Sequence, residues 1–132
     1  MKTEELLNLD CTKEENIKKL NRFLYKIKPL EKVATKHGYN TEQNKMLGME
    51  VLEEVLHGLC LHYGYMHQGI CVYYEHETDE SGKNKNKRFV FYRTSVITPD
   101  RQWAGEVYGK TLWEIMAKII VKIYVDIKSK KG

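Results

Sequence analysis

Apolar positions in the first quarter of the chain follow a helical period. Ile17, Leu20, Phe23, Leu24 and Ile27 recur at spacings of three and four, with Lys18, Lys19, Arg22 and Lys26 between them. That spacing puts an apolar stripe and a basic ridge on one predicted helix. Thr12 and Glu15 stand ahead of the stripe as a capping box, and Pro29 ends it. Glu31 to His37 predicts a short turn closed at Gly38. Further on, Met49, Leu52, Leu56, Leu59 and Tyr63 form a second stripe. It predicts a long helix from about Glu42, capped by Thr41, to Tyr63, with Gly64 as its stop.

The period then changes. Residues 69–77 and 87–97 are rich in Val, Ile, Phe, Tyr and Thr and predict two strands of a hairpin, joined by a long mobile loop over Asp79 to Lys87. After the turn TPDRQ, Trp103 to Tyr108 predicts a third short strand. Thr111 and Glu114 then open a last helix, by a second capping box, that runs to about Lys128.

Both faces of the predicted strands carry apolar groups. Ile70, Val72 and Tyr74 point one way, Cys71 and Tyr73 the other. Phe89 and Phe91 oppose Val90, Tyr92 and Val96. A sheet with one wet face shows cleaner alternation, so helices are expected on both faces, with Phe89 and Phe91 in the core. In the last helix Glu114, Lys118, Lys122 and Asp126 form one polar ridge and nearly everything else is apolar, which predicts burial over a wide arc. The expected fold is α+β: one domain over residues 1–132, with a small antiparallel, about three-stranded sheet covered by helices in the order α-α-β-β-β-α.

Composition narrows the function classes. With 132 residues, the chain can bury a core without staples. Its three cysteines, an odd number, argue against a disulfide framework. The N-terminus has no apolar core of a signal peptide, and no apolar run is long enough to span a membrane. A cytoplasmic protein without membrane contact is expected. The net charge of +4 allows attraction to nucleic acid or to an acidic protein.

The stretch HGLCLHYGYMHQGICVYYEH, residues 57–76, gathers four of the five histidines and two of the three cysteines. On the predicted helix His57 and His62 point apart, and on the strand Cys71 and His76 point to opposite sides. No CxxC or HxxxH pair is present, the usual start of a zinc site, and Glu54-x-x-His57 lacks the second such motif of a di-metal site. No metal and no cofactor are expected. Cys60 and Cys71 read as small buried hydrophobes rather than nucleophiles. No nucleophile elbow, phosphate loop or HExxH pair appears, so no catalytic residue is assigned.

Three features could carry binding. Lys18, Lys19, Arg22 and Lys26 form a basic ridge that could lie along phosphates, although such ridges are common on solvated faces. KRFVFY at 87–92 has aromatics on a strand, as RNA-binding sheets do, but lacks the glycine those sheets use, so core packing is the preferred reading. A weaker stripe on the second helix, Leu47, Val51, Gly58 and Leu61, includes a glycine that costs about 1 kcal/mol against Ala. It is expected to lie under the N-terminal helix; a partner is the alternative.

WAGEVYGKTLWEIMAK, Trp103 to Lys118, resembles the ending of small uncharacterised phage and prophage proteins. LLNLDCTKEENIKKLNRFLYKIKPL resembles the opening of similar proteins from low-GC Gram-positive bacteria. The overall plan is similar to the phage α-β-α sandwich domain. Tyr39 to Thr78 lies outside the resemblance. The resemblance brings no catalytic residues. It implies a phage or mobile-element setting and a non-catalytic protein that binds a host or phage protein, such as an inhibitor of a host defence nuclease complex acting by occlusion. A nucleic-acid-binding accessory protein using the basic ridge is the alternative, and a homodimer is compatible with either.

Overall fold

The computed structural model describes residues 3–78, 80–82 and 84–131, and the side chains of all of these except 3, 77, 78, 84–87 and 131. Its elements are α1 (Thr3–Leu7), α2 (Glu14–Leu24), α3 (Lys28–Lys36), α4 (Met49–Tyr63), β1 (Met66–His67), β2 (Cys71–Thr78), β3 (Asn84–Ile97), β4 (Trp103–Gly109) and α5 (Leu112–Lys131). This is the expected α+β class. Among the described residues no helix is long and apolar enough to cross a membrane.

β3 is the hub of an antiparallel sheet. β2 pairs with it from Cys71↔Arg93 to Thr78↔Asn84, β1 at Met66↔Ile97 and His67↔Val96, and β4 from Tyr92↔Gly109 to Ile97↔Trp103. β1 and β2 therefore share one edge of β3, and β4 takes the other. The half of β3 before Tyr92 is paired with β2 alone, so the two form a hairpin arm that projects past β4. Only residues 79–83 separate its strands, so the last four residues of the loop expected over 79–87 belong to β3. Asp79 and Lys83 lie outside the described residues.

α5 is the core helix. Ile115, Ala117, Ile119, Ile120, Val121 and Ile123 are fully buried, and α5 packs against β3, β4, α1, α2 and α4. Thr111 caps it as expected, its Oγ1 accepting from the Glu114 N–H at 3.1 Å, while the Glu114 carboxylate accepts from the Lys110 N–H. The polar ridge of this helix turns inward. Glu114 and Lys118 form a buried ion pair, and Lys118 Nζ also donates to the Leu9 carbonyl at 2.9 Å. β4 answers with Gly105 and Gly109: a Cβ at Gly105 would lie 2.7 Å from Lys122 Cε, and one at Gly109 2.8 Å from Glu114 Cδ. The missing side chains let helix and strand approach closely.

Several helix boundaries differ from expectation. α2 ends at Leu24, and Pro29 stands in the first turn of α3, a helix where a short turn was expected over Glu31 to His37. Thr12 does not cap α2: its N–H and Oγ1 both donate to the Asp10 carboxylate, a local turn that competes with capping. α4 starts at Met49 rather than near Glu42, because long-range bonds hold the preceding segment outside a helix. Asn21, buried on α2, donates to the carbonyls of Asn44 and Lys45 and accepts from the Leu47 N–H, while Trp113 Nε1 donates to the Leu47 carbonyl at 2.7 Å. The Gly64 stop is as expected: φ is 82° and its N–H donates to the Cys60 carbonyl at 2.9 Å.

Among the described residues, helices cover only one face of the sheet. Gly105, Val107 and Gly109 on β4, with their partners Val96, Thr94 and Tyr92 on β3, face α5. The opposite face has no helix packed on it among the described residues. Its apolar groups are aromatic rings that pack on one another, which is why apolar residues on both faces did not require two helical layers.

Candidate functional site: the open sheet face and the hairpin arm

Alternation along paired strands decides which residues meet on the open face. Cys71, Tyr73 and Glu75 of β2 stand opposite Arg93, Phe91 and Arg88 of β3. Across the other edge, Arg93 and Ser95 stand opposite Tyr108 and Glu106. Arg88 and Phe91, three apart, share this face because the register shifts between Tyr73 and Tyr74, leaving Val90 as an extra residue in β3. Such a bulge turns the residues beyond it over. Phe89 and Phe91 are thereby sent to opposite faces, and neither enters the core: Phe89 is 36% exposed and Phe91 half-buried.

Three rings form a row. Tyr73 stacks on Phe91 with centroids 4.7 Å apart and planes 23° apart, and Phe91 meets Tyr108 edge-on at 5.3 Å. Tyr73 is 40% and Tyr108 45% exposed. Such geometries add to the area the rings bury. Beside the row, Arg93 Nε donates to Glu106, and the Tyr108 hydroxyl donates to the second oxygen of the same carboxylate. The Tyr108 hydrogen bond and the Arg93 guanidinium hold the Glu106 carboxyl below its usual range. Its carboxylate in turn raises the Tyr108 hydroxyl and the Arg93 guanidinium. The ion pair therefore stays charged at neutral pH and fixes two of the three strands beneath the rings.

On its other face, the arm carries a second aromatic set. Tyr74 meets Phe89 at 6.3 Å and Phe89 meets Tyr92 at 4.8 Å. Val72, Tyr74 and Phe89 are 44%, 52% and 36% exposed, because the arm extends past α5. Arg88 pairs with Glu75 across the strands. The edge of β3 left open beside β4 is interrupted twice, by the Val90 bulge and by Lys110, whose Nζ donates to the Val90 carbonyl. Bulges and lysines of this kind discourage strand addition, so the arm presents rings rather than backbone.

The basic ridge is exposed throughout, with Lys18, Lys19 and Arg22 on α2 and Lys26 in the turn after it. Lys18 is paired with Glu14 at 3.7 Å. Lys19, Arg22 and Lys26 border a shallow opening of about 290 Å³ with Leu6 and Phe23, and form no ion pair among the described residues. The histidines and cysteines of 57–76 are drawn together only in part. Glu53, His57, Cys60 and His67 line one opening, yet among the described residues no three His, Cys, Asp or Glu side chains are grouped as a metal site requires. Glu54 turns instead to Lys36 and His37, each at 3.2 Å. Burial pushes the Cys11 thiol up to about 11 and raises that of Cys60, which disfavours the reactive thiolate.

His67 has a structural partner. Thr94 Oγ1 donates to the Gln68 carbonyl at 2.8 Å and so accepts from His67 Nε2 at 2.7 Å. Together they pin the break between β1 and β2 to β3. Periodicity alone could not have assembled the aromatic face, because the bulge that sorts its rings leaves no mark in residue type. Against protein-family models, curated proteins and solved structures alike, the chain finds no match.

Proposed function

We infer that this chain is a non-catalytic binding protein that docks on a protein partner through its open sheet face and hairpin arm. The carrying observation is the row Tyr73–Phe91–Tyr108, its two tyrosines exposed, on a face with no helix packed against it among the described residues. Large rigid rings anchor interfaces at low entropic cost, and a few of them supply most of the binding energy. Charge favours a protein over nucleic acid at this face. Its arginines, Arg88 and Arg93, are already neutralised by Glu75 and Glu106, whereas phosphate binding draws on uncompensated cations. Covering a partner's working surface would inhibit it by occlusion, the mode that fits the phage or mobile-element setting and a host defence complex as target.

The test is capture from a bacterial lysate on the immobilised chain and on a Tyr73→Ala/Phe91→Ala/Tyr108→Ala variant, with mass spectrometry of what is retained. A protein held by the first and lost by the second, with unchanged circular dichroism and melting, is expected. Equal retention by both overturns the assignment of the face. Retention abolished by nuclease overturns the preference for protein.

A second reading has its own observation. Lys19, Arg22 and Lys26 are exposed, adjacent and unpaired by carboxylates among the described residues. If α2 lies along nucleic acid, binding falls steeply with salt, and Lys19→Glu/Arg22→Glu/Lys26→Glu abolishes it while the aromatic variant does not.

A further inference from the structure

The helical layer carries a second concave surface, between α3 and α4. Its floor is apolar, built from Pro29, Val33, Val55 and Leu59, and it encloses about 390 Å³, within the range of ligand-binding clefts. Gly58 stands in the middle of α4, and nothing lies within 4 Å of the position its Cβ would take. Of the secondary stripe expected on this helix, Leu47, which lies just ahead of α4, and Val51 are buried, but Leu61 is 77% exposed. The fold covers half of that stripe and leaves the half with the glycine open. A glycine inside a helix weakens it relative to Ala, and here no neighbour of the chain uses the space it opens.

The charges around the groove are one-sided. Lys28 and Lys32 stand on the α3 wall and make no ion pair among the described residues. Glu54, the carboxylate on the opposite wall, is already held by Lys36 and His37. An occupant therefore meets an apolar floor, a gap in the α4 surface and two free ammonium groups along one side.

We propose that this groove receives an acidic amphipathic helix of a protein partner. A large apolar side chain of that helix seats over Gly58 between Val33 and Val55, and carboxylates on its flank meet Lys28 and Lys32. A helix laid in a groove is recognised by such an apolar stripe, and the flanking charges fix its orientation. A phosphate backbone would leave the apolar floor unfilled. The site belongs to α3 and α4 and stands independently of the sheet face.

The probe is a stapled helical peptide with a leucine stripe flanked by glutamates, titrated into the 15N-labelled full chain. Amide shifts are expected at Val33, Val55, Gly58 and Leu59. Gly58→Trp, which fills the gap, and Lys28→Glu/Lys32→Glu should each weaken binding by about tenfold or more, the scale of one lost anchor contact. A lysine-flanked version of the peptide should bind only the charge-reversed variant. The Tyr73→Ala/Phe91→Ala/Tyr108→Ala variant should bind the acidic peptide as the parent does, which keeps this result separate from the fate of the sheet-face reading. Equal affinity for both peptides, shifts confined to other elements, or saturation by decanoate without any response to the peptide would each overturn the proposal.

Discussion

Lys118 and Glu114, one turn apart on α5, form an ion pair whose side chains are only 4% and 6% exposed. The pair is sealed by the close approach of β4 at Gly109 and completed by the Leu9 carbonyl. Removing one partner from such a pair strands a buried charge. Lys118→Met should therefore lower stability by roughly 3–5 kcal/mol, read as a shift of the urea midpoint. Lys118→Met combined with Glu114→Gln, which removes both charges, should recover part of that loss. A single variant as stable as the parent would contradict the buried pair.

Gly109→Ala probes the same junction from the strand side. The added Cβ would lie 2.8 Å from Glu114 Cδ, in a place where neither neighbour is free to move. Overpacking of this kind costs about 1–3 kcal/mol, measurable by chemical denaturation.

Gly58→Ala should do the opposite. The new methyl meets nothing, so only the gain in helix propensity remains, about 1 kcal/mol of added stability. A rise in melting temperature checks it; a fall would mean that the surface over Gly58 is already occupied.

His67 makes stability depend on pH with a definite sign. Burial lowers its pKa below the ordinary 6.5, so between the folded and unfolded values the unfolded chain holds the extra proton. Stability is then fully present above about pH 6.5 and declines as pH falls through that value toward the folded pKa. The fall in melting temperature from pH 7 toward pH 5 should be smaller in His67→Gln than in the parent. Identical pH profiles would remove His67 from the account.

Local order was legible and long-range order was not. The α5 cap at Thr111, the Gly64 stop and the three main strands follow from residue spacing, because caps, left-handed glycines and period-two runs act within a few residues. The start of α4 does not, since Asn21 and Trp113, far away in sequence, claim the backbone of residues 44–47. The inward turn of the Glu114–Lys118 ridge was hidden for a similar reason: charged residues at helical spacing look the same whether water or a carbonyl such as that of Leu9 meets them. For the candidate site, the aromatic strand segment KRFVFY is visible in the sequence, but its apolar character points to the core. Only the register, with its extra residue at Val90, shows that Phe91 joins Tyr73 and Tyr108 on the uncovered face while Phe89 turns away.

β3 runs unbroken from the arm into the body, paired on one edge in the arm and on both in the body. This gives the molecule a mechanical grain. Tension applied to the arm along β3 is carried in shear by the ladders to β1 and β4, whose hydrogen bonds lie across the strands and share the load. A sideways pull peels β3 from β2 one bond at a time. A partner that grips the arm end-on thus holds the whole domain, while one that tugs across it strains the hairpin first.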